Sequence, residues 1–269
     1  MNILYKILFF VASSFVLFAC EEVIEIDLNS SNPVIVAEAL VERDSVAWIQ
    51  LSYSSDYFDN KESEAIEDVT VMFEHGDSVS EYFIHLGNGL YKGNIAAVAE
   101  QQYTLSFSIG GISYVANTTI MNPGKIVDIK FEESGRPNQN ENNSFAPTVI
   151  IEDEKGCHNR YMVKFWSNGE LKNDRYYLVD DKNYADNGII EYTTMGLTIE
   201  EGNEIKAILY TIDENTYSYY SQLNDIGGGG GMRSSSTPYN PQSNFGDDIM
   251  GYFAGWSKNE FTTTVFLNK

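Results

Sequence analysis

Basic residues are scarce in this sequence: 17 Lys and Arg stand against 39 Asp and Glu, for a formal charge of -22. A surface of that sign repels a phosphate backbone, which excludes nucleic acid as a partner. It is repelled equally by a bare anionic membrane, so any hold on a bilayer must come from lipid rather than charge. Cysteine is nearly absent, with Cys20 and Cys157 the only two. If Cys20 carries a lipid, Cys157 stands alone, no intramolecular disulfide can form, and stability is left to packing. The three histidines, His75, His85 and His158, show no paired spacing, which argues against a zinc site. Beyond residue 20 no apolar run approaches the ~20 residues of a spanning helix.

The one long apolar run is at the start. A single Lys6 precedes Ile7 to Ala19, apolar or small throughout, and Cys20 is followed at once by Glu21 and Glu22. This is the layout of a short positive region, a hydrophobic region and a cleavage site. Residues 1–19 are therefore expected to be a lipoprotein signal peptide, with Ala19 at the cut and Cys20 acylated. A cut elsewhere would give a soluble periplasmic protein instead. A thiol carrying two acyl chains beside an acylated amine would hold firmly, because each buried methylene contributes about 0.8 kcal/mol. Residues 20–32, acidic and then Asn/Ser-rich, read as a tether that could reach ~40 Å when extended.

The remaining ~250 residues are enough for one large β domain or two smaller ones. From Pro33 the sequence alternates. Runs at 34–41, 46–53, 69–75, 81–86, 89–95, 101–109 and 113–120 have strand length and β-rich composition, separated by turn material such as Gly87-Asn88-Gly89 and Gly110-Gly111. Seven short strands with hardly a helical period predict a β-sandwich over residues 33–122. Asn88-Gly89-Leu90-Tyr91 and Gln102-Tyr103-Thr104-Leu105 resemble the hairpins of transthyretin-like and immunoglobulin-like domains, where the Gly permits the turn.

Asn122-Pro123-Gly124 breaks regular structure and marks the expected boundary. A second β-rich domain, 123–269, is expected to hold strands near 126–131, 148–152, 160–166, 175–179, 188–192, 204–212, 249–256 and 261–267. It also holds one short helix, which starts after the capping candidate Asp213 and carries Tyr217, Tyr220 and Leu223. The class expected is thus all-β, an immunoglobulin/transthyretin-like sandwich followed by a β-rich domain with one helix. Its most conspicuous loop is the Gly/Ser-rich segment 227–244, which lacks the Lys-Ser/Thr and following helix of a phosphate-cradling loop.

Chemical candidates are few. Arg233 in that loop could meet an anion or partner. Cys157 and His158 are adjacent, and neighbours on a strand would point to opposite faces, which argues against a nucleophile and its base. Asp181, Asn183 and Asp186 resemble part of a calcium loop but lack the alternation and terminal Glu of an EF-hand. No spacing among the many acids singles out a glycosidase pair. Aromatics crowd the C-terminal third, where Tyr239, Tyr252 and Trp256 are the candidates for stacking on a ligand or anchoring a partner.

Cys20, Val23-Ile24-Glu25-Ile26-Asp27, Ile35-Val36-Ala37-Glu38, Asn88-Gly89-Leu90-Tyr91, Tyr103-Thr104-Leu105, Asn240-Pro241-Gln242-Ser243-Asn244 and Met250-Gly251-Tyr252-Phe253 together resemble a Bacteroidetes lipoprotein family, domain of unknown function 4249. Ala39 and Asp247-Asp248 stand where that pattern has glycine. The acidic cluster after Cys20 is similar to a surface-export signal of such lipoproteins. The resemblance implies an outer-membrane, lipid-anchored protein working beside a TonB-dependent receptor, and brings no catalytic residue. The expected function is a non-enzymatic accessory or ligand-capturing partner of that transporter. Its rivals are an envelope hydrolase and a structural or adhesive surface protein. No cofactor is expected besides the lipid on Cys20, with calcium at Asp181, Asn183 and Asp186 the open metal question.

Overall fold

Small residues facing one way and larger ones facing the other set up the first strand. In β1 (Ile35–Glu42) Ala37, Ala39 and Val41 are buried while Glu38 is exposed and Leu40 half-buried, as the two-residue period of a strand requires. This computed structural model describes residues 33–55, 63–76, 79–133, 144–172, 175–227 and 239–266. The expected signal peptide, Cys20 and the tether lie outside the described residues, as do Arg233 and residues 228–238 of the Gly/Ser-rich loop.

After β1 come β2 (Val46–Tyr53), β3 (Val71–His75), β4 (Val79–Tyr82), β5 (Ile84–Gly87), β6 (Leu90–Ala96), β7 (Gln101–Ile109) and β8 (Ile112–Ile120). The later strands are β9 (Lys125–Glu133), β10 (Ser144–Glu152), β11 (Arg160–Ser167), β12 (Glu170–Leu171), β13 (Tyr177–Asp180), β14 (Ile189–Thr193), β15 (Ile199–Glu200), β16 (Glu204–Ile212) and β17 (Ile249–Thr264). One helix, α1 (Glu214–Gly227), lies between β16 and β17. The described chain is therefore mostly β.

Three sheets result. The largest has nine strands in the order β12-β11-β16-β17-β1-β2-β6-β5, with β13 also on β11. A second is β4-β3-β7-β8, and a third is β14-β10-β15 with β9 on β10. The large sheet runs across the boundary expected at Asn122 to Gly124, because β1 pairs in parallel with β17, from Ile35 opposite Ile249 to Glu42 opposite Trp256.

The central strands of the large sheet are covered on both faces. One face meets the second sheet through a core containing Ile49, Leu51, Phe73, Tyr91, Tyr103, Leu105 and Phe253. Further along, it meets the third sheet through Phe145, Val149, Ile151, Tyr161, Phe165, Ala207 and Leu209. On the opposite face Met162, Ile208, Tyr210, Ile212, Tyr252, Ala254 and Trp256 pack with the aromatic residues of α1. Central strands such as β16 therefore read as nearly continuous apolar runs rather than alternating ones. Polar side chains tie the layers: Thr211 Oγ1 accepts from Gly124 N at 2.8 Å and Asn259 Oδ1 from Ile126 N at 2.9 Å.

Local chemistry explains the turns and ends. Asn88 and Gly89 both have positive φ, 51° and 73°, as the two central residues of a type I′ hairpin require. Asp213 caps α1, its Oδ1 accepting from Thr216 N at 2.7 Å, while its Oδ2 accepts from Thr118 Oγ1 and Thr119 N at 3.0 and 2.9 Å. Asn244 brackets Phe253, accepting from its N–H and donating to its carbonyl, each at 2.9 Å.

The strands differ from expectation in several places: β10 starts at Ser144 rather than 148, β12 and β15 are additional short strands, and two expected runs are divided differently. The runs at 249–256 and 261–267 are joined in β17, because the polar residues between them keep the strand period: Ser257 is fully buried, Asn259 bonds β9, and the ladder to β16 is unbroken. The run at 81–86 is divided at Phe83, whose N–H goes to Val71 O as the chain leaves the second sheet for the first.

Candidate functional site

The face of the large sheet that carries α1 holds a group of closely packed aromatic side chains. Glu38 and Leu40 of β1, Trp48 of β2, and Tyr252, Ala254 and Trp256 of β17 line a groove of about 250 Å³ with Tyr219, Tyr220 and Leu223 of α1 and Tyr176. Register explains the grouping, since Leu40 pairs with Trp48 on one side and Ala254 on the other, and Glu38 pairs with Tyr252. On the helix, Thr216, Tyr219, Tyr220 and Leu223 recur at the three- and four-residue intervals of one face. Asn224 fastens that face to the sheet, accepting from Tyr176 N at 2.8 Å and donating to Tyr176 O at 2.7 Å.

The rings interlock. Tyr219 stacks on Tyr252 with centroids 4.3 Å apart, Tyr176 and Tyr220 are 4.6 Å apart, and Tyr210 meets Trp256 edge-on at 5.0 Å. Burial pushes the phenols of Tyr219, Tyr220 and Tyr252 above their ordinary range, and the negative charge of Glu38 adds to the shift at Tyr219 and Tyr220. Burial likewise raises Tyr210 to about 12. These rings are accordingly neutral phenols near neutral pH.

The two carboxylates of β1 on this face differ sharply. Glu42 accepts from Trp256 Nε1 at 3.0 Å and pairs with Lys258 at 2.7 Å, and that hydrogen bond raises the Lys258 ammonium above the usual lysine range. Glu38 is exposed at the groove, and its carboxylate has no hydrogen-bond or ion-pair partner among the described residues.

A second polar cluster sits at the start of β11. His158 Nε2 lies 2.8 Å from Asp180 and 3.3 Å from Asp181, while Arg160 reaches Asp180 at 3.5 Å and Glu214 at 3.0 Å. Burial pushes the Asp180 carboxyl up, but the hydrogen bonds from His158 and Lys182 N, with the charges of His158 and Arg160, bring it below the usual range. Side-chain atoms of His158, Asp180 and Asp181 converge closely enough to hold an ion. Of the calcium candidates, only Asp181 belongs to this group: Asn183 is exposed, and Asp186 Oδ1 accepts from Gly156 N at 3.3 Å.

Cys157 and His158 lie on the turn before β11 rather than on a strand, so strand alternation does not set their directions. The exposed Cys157 thiol is nonetheless poorly disposed as a nucleophile. Desolvation and then the charge and hydrogen bond of Glu154 raise it, with smaller contributions from Asp153 and Asp181. A hydrolase would need the opposite shift.

Among the expected binding residues, Tyr252 and Trp256 share the groove, Tyr239 is exposed but does not line it, and Arg233 lies outside the described residues. A larger hollow of about 410 Å³ is lined by Val34 and the segments 240–243 and 246–250, with Asp247 and Asp248 but no aromatic or basic side chain among the described lining residues. The aromatic groove is therefore the stronger candidate. Sequence reasoning missed Glu38, Leu40, Trp48 and Tyr176. The available signal was in β1 and β2, where Leu40 and Trp48 alternate with buried Ala39, Ala47 and Ile49 and so mark a second covered face.

The fold and the groove define a mostly β protein with an aromatic site on the helix-bearing face of its largest sheet. Residues 21–262 match the model of the family described as Domain of unknown function (DUF4249), and the chain belongs to that family. No curated protein matches the chain.

Proposed function

We propose that this chain is a lipid-anchored outer-membrane accessory protein that captures a ligand, without chemical conversion, for a TonB-dependent transporter. The observation that carries the capture reading is the groove between α1 and the large sheet, where Trp48, Trp256, Tyr176, Tyr219, Tyr220 and Tyr252 surround a carboxylate with no partner in the described chain. Aromatic rings supply large contact area at low entropic cost. The site also rests on paired strands and a fastened helix, the rigid support that a binding constellation needs.

Anchoring rests on Leu17-Phe18-Ala19-Cys20 and the acidic residues after it. The lipid on Cys20 confines the protein to the membrane plane, which raises its effective concentration near a receptor. In this reading residues 33–122 are the immunoglobulin/transthyretin-like domain, which gives Glu38, Leu40 and Trp48 to the groove and spaces the second domain from the bilayer. Residues 123–269 form the second β-rich domain and make most of the contact, the two domains being joined through β1 and β17. No cofactor belongs to this reading beyond the covalent lipid.

The test is affinity purification of the full chain from detergent-solubilised outer membrane, alongside metabolic labelling with palmitate. Labelled wild-type protein should recover a barrel protein, while Cys20→Ala should be unlabelled and released into the soluble fraction. Recovery of labelled protein without any barrel protein would overturn the transporter role.

A further inference from the structure

We infer that the groove beside α1 binds a small organic cation, an ammonium or guanidinium compound, with the positive group between the aromatic rings and Glu38. The inference rests on the capture reading and adds the chemistry of the ligand. Charge complementarity is the first argument. Among the described residues that line the groove, Glu38 is the only charged one, and none is Lys, Arg or His. Four residues along the same face, Glu42 already has its cation in Lys258 and its donor in Trp256. Glu38, set between Gln50 and Tyr252 by the strand register, has neither among the described residues.

The walls supply the second argument. Positive charge is attracted to the faces of Trp and Tyr rings, and more strongly where water is displaced. Trp48, Trp256, Tyr176, Tyr219, Tyr220 and Tyr252 bring their rings to the groove, with Tyr219 and Tyr252 stacked on each other and Leu40, Ala254 and Leu223 completing the lining. An anionic ligand would meet Glu38 unscreened. A neutral polyol would find few hydrogen-bonding side chains besides Glu38 and the phenols. The size points the same way, because about 250 Å³ is below the roughly 300–1,000 Å³ of pockets for larger ligands. The net charge of -22 would further raise the local concentration of cations near the surface.

The experiment is isothermal titration calorimetry on the full chain in detergent. Butylammonium, butylguanidinium and tetramethylammonium are the cationic probes, with 1-butanol and glucose as neutral probes and butyrate as the anion. Saturable binding is expected for at least one cation and for none of the other three. Glu38→Gln should weaken that binding by about tenfold or more without changing the melting temperature, and 0.5 M salt should weaken it further. Tyr219→Phe should retain binding because the ring remains, whereas Tyr219→Leu should lose it. Glu74→Gln, on the opposite side of the second sheet, should have no effect. The inference is overturned if no cation binds saturably, if 1-butanol or glucose binds as tightly, or if Glu38→Gln binds like wild type. Glucose binding that is lost in Tyr219→Leu would refute the cation while leaving ligand capture standing. Cation binding with no barrel protein in the purification would do the reverse to the transporter role.

Discussion

Replacing Gly251 with Ala would put a methyl group against the main chain of β1. Gly251 has φ +91° within β17, and a Cβ built there falls 2.7 Å from the Ala37 carbonyl carbon and 3.1 Å from its amide nitrogen, with the carbonyl oxygen nearer still. All three atoms are backbone, so no side chain can rotate away. Either β17 leaves the positive-φ region or the two strands part. The backbone conformation alone costs about 1–3 kcal/mol for a residue with Cβ, and forcing atoms into a filled interior adds about 1–3 kcal/mol. A sum of about 2–6 kcal/mol corresponds to a fall in Tm of roughly 4–24 °C for a chain of this size. Gly110→Ala is the control, since its φ is +60° but nothing lies within 4 Å of the added methyl; it should lose only about 1–2 kcal/mol, the left-handed penalty. Thermal melts of both variants, followed by circular dichroism under identical conditions, test the argument. Equal shifts for the two would refute the claim that close approach of β17 to β1 sets the requirement for glycine.

Three further outcomes are expected. Asp180 has its carboxyl held down in the folded state, so its contribution is fully present above the ordinary aspartate range and is lost as pH falls through the lower folded-state value. Melts between pH 2 and 7 should show a shallower acid limb for Asp180→Asn, and an unchanged limb would count against the His158 and Arg160 contacts. Asn224→Ala removes both hydrogen bonds to Tyr176, a loss of about 1–3 kcal/mol. Hydrogen exchange should accelerate in α1 while β16 and β17 keep their protection, and uniform acceleration would contradict a local fastening. Cys157, its thiol raised by desolvation and Glu154, should react with iodoacetamide at pH 7.5 more slowly than glutathione does, and Glu154→Gln should speed the reaction; a rate above that of glutathione would refute the reasoning.

Most strands were legible because a half-buried strand writes its period into its sequence, as β7 does with Tyr103, Leu105 and Phe107 turned inward. The capping Asp213 and the glycine that closes the Asn88-Gly89 turn were legible for the same local reason. The polar stretch from Ser257 to Glu260 read as a break. Its burial is fixed by β9 and β16, which come from other parts of the chain. The candidate site was only half visible. Tyr252 and Trp256 lie in a conspicuous aromatic segment, whereas Glu38 and Trp48 enter the groove solely through the pairing of β1 with β2 and β17. Likewise, Asp180 and His158 are 22 residues apart, and nothing local signals that they meet.

The pairing of β1 with β17 also bears on how the chain reaches this fold. Glu42 and Trp256 face each other across that seam and share a hydrogen bond, though 214 residues separate them. Closing so long a loop comes before any reward from the contact, and topologies rich in such contacts fold slowly. During synthesis β1 emerges early and can pair with β2, but its other edge must wait for almost the whole remaining chain. Until β17 arrives, that edge is an open template for pairing with another molecule. Loss of the last 20 or so residues would make the exposure permanent, so C-terminal truncation of this protein is expected to yield aggregates rather than a smaller folded domain.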